Sequence, residues 1–149
     1  MTTDAIRTMR DDYLWGHSVC VYCAMTPKTE YQHCNNERFD VEHVWQRLGE
    51  RLDDPLNYVI CCRTSHEWKH ANSVCGRIAA MVWKFRNGEF DRERLRSLIG
   101  LDPVGWIENR RSGGLPAWCD ALAGEIITAH EGPTKCSTQP RDAGSSGSR

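Results

Sequence analysis

Residues 41–70 read VEHVWQRLGERLDDPLNYVICCRTSHEWKH, and the succession of patterns in this stretch predicts the fold. Apolar and polar side chains alternate over 39–45, which is typical of a half-buried strand. Glycine, an Asp-Asp pair and proline favour a loop over 46–56. The apolar run 57–62 then predicts a second strand.

A helix is predicted next, from Arg63 to about Arg86. Apolar side chains recur there at helical spacing, and Asn87-Gly88 supplies a stop signal. The stripe consists of Val74, Ile78, Met81, Val82 and Phe85.

The sequence before this stretch predicts one helix and a cysteine-bearing segment. Residues 3–15 carry apolar side chains at helix-like spacing. The segment 18–25, SVCVYCAM, is apolar and β-prone around Cys20 and Cys23, and we interpret it as a metal knuckle. Residues 28–38 are polar and predict a loop or an irregular hairpin.

Three helices are predicted in the C-terminal half. Asp91 can cap the first, 92–99, and Asp102 can cap the second, 103–111. Pro116 opens the third, which runs to about His130, and the Gly-, Ser- and Pro-rich tail is predicted to be disordered. The fold class is therefore α+β, in four parts: an N-terminal helix 1–17, a core 18–86, a helical extension 87–131 and a tail 132–149.

Composition leaves nucleic-acid binding open. The 149 residues carry 19 Lys and Arg against 20 Asp and Glu, and a neutral total can hide a basic face. No secretory signal and no apolar run long enough for a membrane span is recognisable, so we expect a cytoplasmic protein without a membrane partner. Eight cysteines, two of them spaced C-x-x-C, favour metal binding over a disulfide framework.

The individual motifs carry little information, but their order carries more. His66 and His70 stand four residues apart on a predicted helix, so they share a face and could hold one ion; two solvated histidines are the alternative. Glu42-His43 ends one strand and Asn57 opens the next. Two strands packed against one helix would let these five side chains converge.

Residues 20–70 resemble the HNH nuclease motif: an acidic residue before a histidine, a loop ending Asp-Asp-Pro-x-Asn, an apolar strand, and a histidine at the start of a basic helix. The C-x-x-C pair lies where zinc-bearing members of that family have their first cysteines. The resemblance implies a small ββα-metal core and a metal-dependent endonuclease acting on DNA, most simply double-stranded DNA.

The resemblance also implies roles for the five side chains. His43 would be the general base, and Asn57 would orient the His43 ring or backbone. Glu42, His66 and, as in some members, His70 would hold one divalent ion, Mg²⁺, Mn²⁺, Ni²⁺ or Zn²⁺.

A structural zinc is the second implied cofactor, and here the sequence departs from the family. Cys20, Cys23 and Cys62 match its thiolates, but residue 65 is Ser where the last cysteine is expected. Structural zinc takes four ligands, and Cys34, His33, Cys61 or Cys75 could complete the set. Alternatively, these cysteines are small buried hydrophobic residues.

DNA contacts are expected from Arg47, Arg63 and Lys69, with ordinary solvated charges as the alternative. A catalytically silent zinc-knuckle module that binds DNA or protein is the competing function. Small free-standing HNH proteins occur in phages and mobile elements, so a protein partner such as a phage terminase is a further expectation by analogy.

Overall fold

A two-stranded antiparallel sheet and seven α-helices make up the described residues, 1–34, 38–46 and 52–131, of the computed structural model. The chain is therefore mixed α+β, as predicted. Strand β1 is Phe39–His43 and strand β2 is Tyr58–Cys62, paired so that His43 lies opposite Tyr58. A short 3₁₀ helix, Pro55–Asn57, leads into β2.

The helices follow the predicted order, with two differences. They are α1 Thr3–Gly16, α2 Val21–Met25, α3 Arg63–Ala71, α4 Ser73–Arg86, α5 Arg92–Ile99, α6 Pro103–Ser112 and α7 Ala117–Ala129. The three C-terminal helices are confirmed together with their caps, since the Asp91 side chain accepts from the Arg94 amide and the Asp102 side chain from the Val104 amide.

The first difference is in the knuckle. Its β-prone sequence forms the five-residue helix α2, with Cys20 at the N-cap and Cys23 in its first turn. Strand propensity is a weak preference, and the packing of α2 against α4 and β2 outweighs it here.

The second difference is a break at Asn72, which divides the predicted helix 63–86 into α3 and α4. The backbone of Asn72 is not helical, and its side chain donates to the Trp68 carbonyl. Just after the break, a Cβ at Gly76 would lie 2.8 Å from Cγ of Lys69. Only glycine therefore allows α4 to fold back so closely on α3.

Helices cover both faces of the sheet. Tyr13 of α1 packs on one face with Tyr58 and Ile60, whereas Val59 and Cys61 point into the core formed with the other helices. Successive residues of a strand face opposite sides, so Glu42 and His43 lie on different faces of β1.

The helical extension shares its core with the first part of the chain. Ile107 of α6 and Ile126 of α7 belong to the same buried cluster as Val21 and Met81. Trp106 packs edge-on against Trp45, at 5.1 Å between ring centroids. No helix in the described ranges is both long and apolar enough to cross a membrane. The predicted tail, 132–149, lies outside the described residues.

Candidate metal centres and catalytic residues

Glu42, His66 and His70 come together at the junction of β1 and α3. Their donor atoms lie within 4.8 Å of one another. Glu42 Oε2 is 3.1 Å from His66 Nδ1, and the Nε2 atoms of the two histidines are 2.9 Å apart. Donor atoms bound at about 2.1 Å to one ion lie roughly 3 to 3.5 Å apart. The two short distances involve opposite nitrogens of His66, and one ion can take only one of them, so the three donors lie close to the spacing of a shared metal but not at it.

The Glu42 carboxylate gives an independent reason to expect a cation. Glu42 is only 5% exposed, yet its Oε2 makes no hydrogen bond within the described residues. A buried carboxylate oxygen without a hydrogen bond is costly unless another charge compensates it. His66 is 43% exposed and His70 is exposed, so an ion bound here would be open to substrate.

Lys69 supplies part of that compensation and is not placed as a surface DNA contact. It is 4% exposed, its Nζ lies 3.6 Å from Glu42 Oε2, and it donates to the His43 carbonyl at 3.4 Å. Of the other residues expected to contact DNA, Arg63 is 88% exposed at its side chain. Arg47 lies outside the described residues.

The His43 ring is held by Asp53, which sequence reasoning did not single out. Nε2 of His43 lies 2.8 Å from Oδ1 of Asp53, and Tyr58 donates its hydroxyl to the same oxygen at 2.9 Å. The Tyr58 ring also packs edge-on against His43. Because an ionised carboxylate only accepts, Nε2 is the donor of this pair, and Nδ1 is the ring nitrogen that Asp53 does not engage.

Asn57 plays a different part from the predicted one. Its side chain does not contact the His43 ring; Oδ1 accepts from the Trp45 amide, and Nδ2 donates to the carbonyls of Trp45 and Leu52. The Asn57 carbonyl in turn accepts from the Val44 amide. Asn57 is fully buried and closes the loop between the strands, so it fixes the backbone that follows His43.

A buried lysine braces the segment that carries Asp53 and Asn57. Lys84 of α4 is 2% exposed, and its Nζ donates to the carbonyls of Tyr58 and Pro55 at 2.6 and 3.1 Å. Burial lowers the pKa of Lys84, and the neighbouring Glu89 carboxylate, 3.3 Å away, opposes that shift. No sequence signal separates Lys84 from the many solvated lysines at helix C-termini.

The second cluster is formed by four cysteines: Cys20, Cys23, Cys34 and Cys62. Such a set could bind a metal such as zinc. Four sulfurs at 2.3 Å from a tetrahedral zinc lie about 3.8 Å apart, and the sulfurs of Cys23 and Cys62 are 3.7 Å apart. The seven cysteines in the described ranges are all free, which excludes a disulfide between any two of them.

Cys34 is the member of the cluster that comes from the residues left open as a fourth ligand. Its amide donates to Cys23 Sγ at 3.4 Å, which brings the loop after α2 back onto the cluster. Of the other fourth-ligand candidates, His33 contacts the Thr26 hydroxyl and Cys75 lies on α4, near Cys119 of α7. Cys61 projects from β2 beside Asp40 and Glu42.

Ser65 borders the cysteine cluster as a hydrogen-bonding residue. Its hydroxyl lies 3.3 Å from both Cys20 Sγ and Cys62 Sγ, and its amide donates to Cys62 Sγ. Burial alone would raise the pKa of the Cys62 thiol, but its contacts with the Ser65 hydroxyl and amide and with Cys20 and Cys23 together lower that pKa. Burial raises the pKa of Cys20 and of Cys34 to about 11. Cys62 is therefore the member most inclined to the thiolate form.

Comparisons of the chain with models of protein families, with curated proteins and with solved structures return no match.

Proposed function

We propose that this protein is a metal-dependent DNA endonuclease of the HNH type, a hydrolase of phosphodiester bonds. The observation that carries the proposal is the buried Glu42 carboxylate oxygen, which lacks a hydrogen bond and faces His66 at 3.1 Å. Its chain neighbour, His43, forms a histidine–carboxylate pair with Asp53. Phosphodiester hydrolysis requires a bound metal ion and a general base. Glu42 would be a ligand of the metal, and the next residue, His43, would be the base.

Glu42, His66 and His70 would hold one divalent ion. Bound there, the ion would polarise the scissile phosphate and stabilise the leaving oxygen. Lys69 forms an ion pair with the Glu42 carboxylate inside the protein, where its ammonium lies 3.6 Å from Oε2. This leaves the exposed side of His66 and His70 free to face the substrate.

His43 would act as the general base through Nδ1, because Nε2 is engaged by Asp53. When Nδ1 takes a proton from the attacking water, the ring becomes positively charged, and the Asp53 carboxylate stabilises that charge. The Tyr58 hydroxyl fixes the carboxylate by donating to the same oxygen. Asn57 supports the arrangement indirectly, by fixing the backbone on either side of the loop.

The opposite orientations of Glu42 and His43 fit a phosphodiester lying across the end of β1. The proposal requires one phosphate group to reach both side chains there. The metal cluster would then lie beside the leaving oxygen and His43 beside the attacking water, as an in-line displacement requires.

The cysteine cluster would hold a structural zinc through Cys20, Cys23, Cys34 and Cys62. Cys62 is also the N-cap of α3, the helix that carries His66 and His70. A zinc at this point would fix the start of α3 and hence the direction of both imidazoles.

The competing function, a silent zinc-knuckle binding module, would need the cysteine cluster alone. It gives no reason to bury a carboxylate beside two histidines, at a cost in stability, or to pair His43 with Asp53. Those two features favour the enzyme.

Plasmid cleavage with Mg²⁺, Mn²⁺, Ni²⁺ or Zn²⁺ tests the proposal. The wild-type chain should cut supercoiled DNA with at least one of these ions, and His43→Ala should cut about 10²–10⁴-fold more slowly, the usual cost of losing a general base. His130→Ala is the control, because among the described residues that ring contacts the helical carbonyl of Ile126 and two phenylalanines, away from both clusters. An inactive wild type, or full activity in His43→Ala, would refute the proposal.

A further inference from the structure

Residues of α1, β1, β2 and α3 line a surface groove, and His66 is one of them. Three arginines line it: Arg10 on α1, Arg38 just before β1 and Arg63 at the start of α3. We infer that this arginine groove binds the sugar-phosphate backbone of DNA beside the bond that is cut. The inference rests on the proposed function for the identity of the polyanion, and it assigns a binding role to Arg10 and Arg38.

The three guanidinium groups are available to a ligand. Arg10 is half-buried and makes one long hydrogen bond, 3.5 Å, to the Val41 carbonyl, which leaves its remaining donors for a phosphate. Arg38 is exposed and forms no hydrogen bond or ion pair with any residue of the described ranges. Arg63 lies 3.7 Å from Glu67, but both side chains are exposed, and such a pair is weak.

The charge of the groove suits an anion more than the chain as a whole does. The whole sequence has a formal charge of −1, whereas the three arginines of the groove face only two carboxylates, Asp40 and Glu67. One guanidinium group can donate to two oxygens of the same phosphate at once, as a bidentate contact. His66 lines the groove and lies 3.1 Å from Glu42, so a strand lying along the arginines would reach the candidate metal site.

Binding can be measured separately from cleavage by using the full chain with His43→Ala as the parent. A fluorescent duplex of about 20 base pairs is titrated with this parent at several NaCl concentrations, and anisotropy gives the dissociation constant at each. Log affinity falls with log salt with a slope of about −0.9 for each neutralised phosphate. Adding Arg10→Ala and Arg38→Ala together should weaken binding and make that slope shallower by about two.

Two further variants separate a groove from a general charge effect. Arg7→Ala removes the same charge from the same helix, but Arg7 is paired with Asp4 outside the groove, so the affinity and slope should stay at the parent values. Asp40→Asn removes a carboxylate from the groove and should strengthen binding. Equal weakening by Arg7→Ala and Arg10→Ala, or an unchanged slope in the double variant, would refute the groove.

The two proposals fail in different ways. If the wild type cuts plasmid while Arg10 and Arg38 prove irrelevant to binding, the nuclease stands and the groove is wrong. If the arginines govern binding but no ion supports cleavage, the groove stands and the catalytic proposal is wrong.

Discussion

The cysteine cluster and the Glu42–His66–His70 cluster lie at either end of one short helix, α3, yet their surroundings differ. Cys20 and Cys62 are almost fully buried, and backbone amides donate to their sulfurs. His66 is 43% exposed and His70 is exposed, with only Glu42 fully inside. Cys23 and Cys34 are half-buried, but four sulfur ligands would fill a tetrahedral zinc and leave no position for a substrate, whereas three donors at a surface leave coordination positions open.

Under the proposal, the single helix α3 serves both the stability of the fold and the chemistry of the site. Structural metal sites are closed and contribute to folding, and catalytic ones keep an open position. Changes to the cysteine cluster should therefore act on folding, and changes to the open cluster should act on metal affinity and rate. The following experiments test that division, beginning with the largest expected effect.

Cys20→Ser should abolish most of the folded population. Zinc bound by cysteines in small domains contributes on the order of 10 kcal/mol to folding, which matches the entire stability of an ordinary domain, about 5–15 kcal/mol. Elemental analysis of wild type purified without added metal should give near one zinc per chain. The variant should contain little zinc and lose its cooperative thermal transition by circular dichroism.

Cys75→Ser provides the matched control, because Cys75 lies on α4 outside the cluster. It should keep its zinc and melt close to wild type. A wild-type protein that is stable without zinc would remove the structural role from the cysteine cluster.

His66→Ala should leave the fold and the zinc intact. The affinity of the Glu42–His66–His70 cluster for its metal should fall by at least about a hundredfold. Losing even an outer-shell partner of a metal ligand costs about 10–100-fold, and His66 contacts both Glu42 and His70. His70→Ala should cost less, about tenfold, because His70 is exposed and touches only His66 within this cluster. Isothermal titration with Mn²⁺ compares the two variants, and equal affinity for wild type and His66→Ala would contradict the metal role.

Asp53→Asn should lower kcat by about 10–100-fold with little change in metal affinity or melting temperature. The amide no longer requires a proton on Nε2 of His43, and it cannot balance the charge that the ring acquires. The matched control is Asp54→Asn, which changes the next carboxylate along the chain, one that caps the 3₁₀ helix through the Leu56 amide. A fall in kcat that is equal in both variants would show that Asp53 acts through the loop alone.

Part of the fold can be predicted from the sequence, and part of it cannot. Strand, loop, strand and helix follow from local periodicity, and the caps Asp91 and Asp102 follow from their side-chain chemistry. The break at Asn72 was missed because the apolar stripe continues through it. The helix α2 was missed because tertiary packing outweighs the β-propensity of its five residues.

The sites divide in the same way. His66 and His70 were predicted as a pair because their helical spacing is local information, and Glu42 was joined to them through the resemblance to the HNH motif. Asp53 was present in the Asp-Asp-Pro sequence, but the strand register decides that it meets His43, and no local pattern shows that register. Cys34 could not be separated from His33, Cys61 and Cys75, because a loop residue approaches a cluster through tertiary folding without fixed spacing.

The smallest effect is expected at residue 65, where the cysteine cluster can be tested against the family pattern. Ser65→Cys alone should leave zinc at one per chain and shift the melting temperature by only a few degrees, because Cys34 already completes the set. In Cys34→Ser, which should bind zinc more weakly, the added Ser65→Cys should restore affinity, since the Ser65 hydroxyl already lies 3.3 Å from two of the sulfurs. Competition with a chromogenic zinc chelator measures all three variants. If Cys34→Ser binds zinc as tightly as wild type, Cys34 is not the fourth ligand, and the cluster is less closed than its four sulfurs indicate.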